Sequence, residues 1–240
     1  MIKLQDSLNN SLKLLKNFLT NVRYDWVYQR LTDLGYFYDP TTFPTDKTVT
    51  NQLFHLAIQS NTFALFRNGQ KLFKDAAAEL LNLPLQQDLA DLGLLKLSQD
   101  GVQTNGYHIG VWLGFYFIQS SAEITASVKV EDYRIAQEIM KFSGNSLLCL
   151  GSDVAFTAIT NSANWKNIDT VAKNSEAFQI ATANTILNDL ESKVRVIEYE
   201  EIDQSRNYDL IATTETSLLL PVEYQHYYPG PSVSENFEAI

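Results

Sequence analysis

The chain has a single cysteine, Cys149, in 240 residues. A disulfide needs two, so the fold must hold without internal cross-links, and a reducing cytoplasm is the expected setting. Long apolar runs are also lacking, since nothing approaches the roughly 18 residues needed to cross a bilayer. The richest stretch, Ile109–Ile118, is far shorter and is expected to form one buried strand. The N-terminal MIKLQDSLNNSLKLLKNFL has neither a continuous apolar segment nor a small-residue cleavage site, so no secretory leader and no membrane partner are expected. Histidine is scarce: His55, His108 and His226 are scattered without HxxxH spacing, and no metal site is expected. Walker loops, GxSxG elbows and hydride-transfer fingerprints are missing as well.

Basic residues are outnumbered, with 18 Lys and Arg against 28 Asp and Glu, a formal net charge of −10. The deficit is uneven. Residues 1–135 carry 12 basic and 13 acidic side chains, whereas residues 136–240 carry 6 and 15, and the balances of −1 and −9 sum to −10. Such a field repels phosphate backbones, and no basic patch compensates, so nucleic acid is not an expected partner. Hydrophobic residues at 45% and charged residues at 19% are those of an ordinary globular chain.

Residues 1–135 read as one mainly helical domain. Leu8, Leu12, Leu15, Phe18 and Leu19 recur at helical spacing, and Val22, Trp26 and Leu31 prolong the pattern. Pro40 and Pro44 mark a loop, after which Thr48 or Thr50 can cap a helix carrying Leu53, Phe54 and Ile58. A further helix is predicted over Lys71–Leu81, stopped by Pro84, with a short helix through Leu89 and Leu92 behind it. Two extended pieces follow, Leu94–Leu97 and Ile109–Ile118, separated by turns at Asp100–Gly101 and Asn105–Gly106. Helix, short helix and hairpin in that order suggest a winged-helix-like module. Its acidic side chains match its basic ones, so packing or substrate capping is expected of it rather than DNA reading.

From residue 136 to 240 the texture alternates between β and α. SLLCLG (146–151), IDTVA (168–172), KVRVIEY (193–199) and YDLIAT (208–213) read as strands, spaced by helices over 154–160 and 175–190. That spacing implies parallel pairing through right-handed crossovers, an α/β fold with a Rossmann-like sheet.

On these residues the chain resembles the class I S-adenosylmethionine-dependent methyltransferases, specifically the small-domain branch. LLCLGSDVAFTAI stands for the glycine loop, NIDTVAKNSEAFQIATANTILNDL for the second strand and helix, VRVIEYEEI for the third strand and YDLIATTETS for the fourth. The resemblance implies an S-adenosylmethionine pocket formed by Leu150, Gly151, Ser152, Asp153, Ala172, Lys173, Thr213 and Thr214, and a small molecule or protein side chain as substrate. It also exposes departures. Cys149 stands at the family's acidic position, and Asp153 and Ala155 replace the second and third glycines. Ala172, followed by Lys173, stands where a ribose-binding acid belongs, and losing that charge-assisted contact costs on the order of 1.5–3 kcal/mol. Thr214, Glu215, Thr216 and Ser217 replace the Asn-Pro-Pro-aromatic motif.

Individual side chains then divide between structural and functional expectations. Asp153 is expected to cap the following helix, with a cofactor contact as the alternative. Asp169, within the strand, is not expected to substitute for the ribose acid. Glu215 is a candidate general base, and Tyr227 and Tyr228, in the aromatic run before Pro229, are candidates for a substrate-lining lid. Cys149 is expected to be a buried apolar residue. Three further strands would complete the family sheet, and the chain ends at Ile240, so a homo- or hetero-oligomer, or a chain cut from a longer one, is expected to cover the open edge.

Overall fold

The computed structural model describes residues 2–25, 57–120, 128, 130–202 and 205–213. The expected continuation of the first helix through Trp26 and Leu31, the loop with Pro40 and Pro44, the caps Thr48 and Thr50, and everything from Thr214 onward lie outside them. The chain divides into two compact units, one of Met1–Ser127 with Ile186–Asp189, the other of Val128–Thr185 with Leu190–Ile240.

In the first unit, α1 (Ile2–Asn21) buries Leu12, Leu15 and Leu19 along one stripe, and the Tyr24 hydroxyl just beyond it donates to the Ile109 carbonyl at 2.8 Å. Next come α2 (Ala57–Phe66), β1 (Leu72–Phe73), α3 (Lys74–Leu80), α4 (Leu83–Asp91), β2 (Leu95–Ser98) and β3 (Gly101–Thr104). The three strands form an antiparallel sheet in the order β1-β3-β2. The helix expected over Lys71–Leu81 therefore starts later, because Leu72 and Phe73 pair with Val102 and Gly101. Only glycine fits at 101, where an added Cβ would lie 2.0 Å from the Leu72 carbonyl oxygen. Pro84 marks a boundary by opening α4 rather than by ending α3. It stands in the first turn, where its missing N–H costs nothing, and the Asn82 side chain caps that turn by accepting from the Leu85 N–H at 2.9 Å.

The single strand expected over Ile109–Ile118 is instead an antiparallel ribbon of β4 (Tyr107–Trp112) and β5 (Phe115–Ser120). Leu113 and Gly114 reverse the chain between them with φ of +51° and +82°. Two consecutive positive φ values are what a two-residue hairpin of type I′ needs. Leucine rarely supplies one, so the turn was hidden inside an apolar run.

The second unit runs α5 (Val130–Ile139), β6 (Gly144–Leu150), α6 (Phe156–Thr160), β7 (Trp165–Ala172), α7 (Ser175–Leu187, whose last two residues fall in the first unit), β8 (Val194–Glu198), a 3₁₀ turn at Tyr199–Glu201 and β9 (Leu210–Thr213). All its strand pairs are parallel, in the order β8-β7-β6-β9. The chain steps outward from β6 to β8 and then returns to the other side of β6, which places a topological switch point at the carboxyl end of β6. The fold is α/β with a Rossmann-like parallel sheet. Both of its faces are buried, which is why its strands read as short apolar runs. On one face Leu147, Cys149, Ile168, Val194 and Ala212 pack with Ile135, Ile139 and Ala158 from the helices. On the other, Leu148, Leu150, Val171 and Ile197 pack with Ile202 and Tyr208 from the connection between β8 and β9.

Candidate functional site

The switch point is built from the loop after β6. Gly151 follows Leu150 with φ of +83°, a conformation that costs glycine little and other residues more. Every residue from Gly151 to Ser162 is buried. The loop is held from two sides: Ser152 Oγ accepts from the Thr157 N–H at 3.3 Å, and Asn184 Nδ2 of α7 donates to the Val154 carbonyl at 3.0 Å. The cap of α6 falls at Ala155, whose φ is +58° and whose side chain has nothing to offer the helix.

Asp153 does not fill the expected capping role. Its side chain is 1% exposed, and its Oδ2 accepts from Lys173 Nζ at 2.5 Å. The cap position lies two residues further along, and the buried carboxylate takes instead the ammonium reaching down from the turn after β7. Two positions read separately as cofactor contacts, Asp153 and Lys173, are thus paired with each other. Ala172 closes β7 beside Glu198, the last residue of β8, and Asn174 Oδ1 caps α7 by accepting from the Ala177 N–H at 2.9 Å.

At the carboxyl edge of the sheet the structure brings together Leu150, Gly151, Ala172, Glu198 and Thr213, with Thr213 opposite Leu150. Glu198 was not singled out from the sequence. Its signal was three carboxylates, Glu198, Glu200 and Glu201, crowded directly behind an alternating strand. Glu198 and Glu201 close a reciprocal capping box over the 3₁₀ turn, in which Glu201 Oε2 accepts from the Glu198 N–H at 3.0 Å. Thr214, Glu215, Tyr227 and Tyr228 lie outside the described residues.

A second carboxylate sits mid-sheet. Asp169 of β7 is 3% exposed and accepts from Arg195 Nε at 3.0 Å, Arg195 Nη2 at 2.8 Å, Arg206 Nη1 at 2.7 Å and the Tyr208 hydroxyl at 2.7 Å. Burial alone would raise its pKa, but the hydrogen bonds from Arg195 and Tyr208 and the two guanidinium charges outweigh it and hold the carboxyl below 3.8. Burial, the hydrogen bond to Asp169 and that carboxylate's charge push Tyr208 up to about 12. Asp169 is thus engaged within the sheet, away from the strand ends where a ribose would be held. The Cys149 thiol is fully buried, and burial together with the charges of Asp132 and Asp169 raises its pKa, so it is not a nucleophile. Among the described residues, no group of three or more His, Cys, Asp or Glu could hold a metal ion, and no helix is long and apolar enough to cross a membrane.

No family model matches the chain, and no curated protein matches it. Solved structures do. Trm5 of Methanocaldococcus jannaschii, in complex with adenosine, is 23% identical over 40% of this chain and 30% of its own, with a TM-score of 0.35. The tRNA (uracil-54, C5)-methyltransferase of Pyrococcus abyssi, in complex with S-adenosyl-L-homocysteine, is 13% identical over 47% and 29%, with a TM-score of 0.37. A SAM-dependent methyltransferase of Agrobacterium tumefaciens is 19% identical over 45% and 39%, also with a TM-score of 0.37. This chain thus spans well under half the length of each. With these scores below 0.5, the fold assignment rests on the strand order and not on the likenesses.

Proposed function

We propose that this chain is a methyltransferase-like protein whose S-adenosylmethionine crevice has lost methyl transfer, and that it serves as a non-catalytic partner or scaffold subunit. The observation carrying this reading is the ion pair between Asp153 and Lys173. The residues do not fit S-adenosylmethionine. Ala172 offers no acceptor to a ribose diol, the next residue is a cation, and that cation is committed to the loop carboxylate.

In the first unit, the order α2-β1-α3-α4-β2-β3 with β3 between its neighbours supports a winged-helix arrangement. Lys71 of that region is paired with Asp100 at 2.5 Å, which favours packing over phosphate binding. Among the described residues β9 pairs only with β6, which supports a homo- or hetero-oligomer that covers its outer edge. A single buried thiol accords with a cytoplasmic setting.

A second reading, methyl transfer to a small molecule or protein side chain from an adapted pocket, is favoured by the preset glycine turn at Gly151, because such transfer is largely a matter of positioning. Calorimetry with S-adenosylmethionine decides between the two. The expected result is no heat up to about 1 mM ligand, and a dissociation constant near 10 μM with a negative heat-capacity change would overturn the first reading.

A further inference from the structure

We propose that the outer edge of β9 pairs antiparallel with the same edge of a second copy of this chain, across a two-fold axis at Ile211. The inference deepens the oligomer reading by naming the partner, and it rests on that reading. The other outer strands each carry a device that discourages pairing. β8 bears Arg195 and Glu198 and runs into the capped turn at Tyr199–Glu201. β2 carries the exposed Lys96, and β1 is two residues long between Lys71 and Lys74. In the ribbon, the Ile109 carbonyl of β4 accepts from the Tyr24 hydroxyl at 2.8 Å. The Tyr116 N–H of β5 donates to Asn188 Oδ1 at 2.9 Å, and its carbonyl accepts from Asn188 Nδ2 at 2.8 Å. Charge, shortness and side chains that occupy backbone groups are the usual protections of a strand edge. From Leu210 to Ala212, β9 shows none of them. This stretch has no charge and no proline, and Ile211 is 44% exposed. The nearest carboxylate, Asp209, is turned toward β6, where it accepts from the Asn145 and Ser146 N–H groups.

Charge and symmetry select the second copy. An uncharged apolar edge matches another uncharged apolar strand, and the chain supplies one in identical form. Antiparallel pairing is self-complementary, as a two-fold contact requires. An axis normal to the sheet keeps both faces continuous, so residues that meet must point to the same face. Ile211 can therefore meet Ile211 of the other copy, but not Ala212. The register centred on Ile211 also sets Leu210 opposite Ala212 and Asp209 opposite Thr213. Both exposed isoleucines are then covered, and no two like charges meet along the strand.

Sedimentation equilibrium of the full chain tests this, in about 0.15 M salt to screen its net charge of −10. The expected result is a monomer–dimer equilibrium with a dissociation constant of about 10–100 μM, as fits a contact smaller than about 1,200 Å². Ile211→Lys sets two like charges at the axis and should weaken the dimer about tenfold, with the far-UV spectrum unchanged. Ile211→Cys should yield a disulfide-linked dimer on mild oxidation, whereas Asn207→Cys, exposed but remote from its copy, should not. The native Cys149 is buried and does not compete. A chain that stays monomeric at about 500 μM overturns the proposal. A dimer untouched by Ile211→Lys, or cross-linked no faster at 211 than at 207, does the same. Should Ile211→Lys not fold, the two cysteine variants decide. Hydrogen exchange at the β9 amides that do not bond to β6 separates the two failures. Fast exchange in a monomer defeats the second copy alone and leaves a different partner. Slow exchange in a monomer means that the chain covers its own edge, and the oligomer reading fails with it.

Discussion

Two buried aspartates of the Rossmann-like unit, Asp153 and Asp169, are held in opposite ways. Asp169, in mid-strand, receives four hydrogen bonds from Arg195 of β8 and from Arg206 and Tyr208 of the connection that follows it. Asp153, at the strand ends, is held by Lys173. Rigid, planar guanidinium donors converge on the first carboxylate, whereas the second is met by a compact ammonium on a four-carbon stem. The contrast separates a carboxylate tied into the middle of the sheet from one paired across the loops at its carboxyl end.

The largest effect should come from removing the weaker-looking anchor. Lys173→Met removes the ammonium paired with the buried Asp153 carboxylate and is expected to cost about 3 kcal/mol in urea unfolding. Asp169→Ala breaks more hydrogen bonds, yet Arg195 and Arg206 keep access to water, so the expected loss is smaller, about 2 kcal/mol. A reversal of that order would show that the strand-end carboxylate finds other compensation.

pH sharpens the comparison. The folded pKa of Asp169 is depressed below 3.8, so its charged form is the one that folding favours. Its contribution is complete above the unfolded value of about 3.9 and is lost as pH falls through the lower folded value. The stability gap between wild type and Asp169→Asn should thus stay level from neutral pH down to about 5 and narrow below about 4. A gap that widens on acidification would contradict the assigned network. The smallest effect belongs to Ser152→Ala, which removes a single 3.3 Å bond to the Thr157 N–H and should cost about 0.5 kcal/mol.

The four parallel strands were legible in the sequence because strands buried on both faces leave short apolar runs between helices, as in SLLCLG and IDTVA. The ribbon at 107–120 was not, since Val111, Trp112, Leu113 and Phe115 hide a reversal that only backbone angles reveal. Lys71–Leu81 was over-extended for a related reason, as Leu72 continues the helical stripe while its backbone pairs with Val102. At the site, Asp153 and Lys173 were both selected, but as separate contacts. Twenty residues apart, they meet only because β7 lies beside β6. The partners of Asp169 lie 26 to 39 residues away, and no local spacing announces a network of that range.

Asp209 carries a consequence for the order of assembly. Its Oδ2 accepts from the N–H groups of Asn145 and Ser146, 64 and 63 residues earlier, and so fastens the start of β9 to the start of β6. On a ribosome, β6 emerges early and can recruit β7 and then β8, but its other flank must wait for residues 209–213 to leave the exit tunnel. Through that interval the central strand of the sheet is exposed to any passing strand. An aspartate that clamps two backbone amides at once makes the late arrival decisive when it comes.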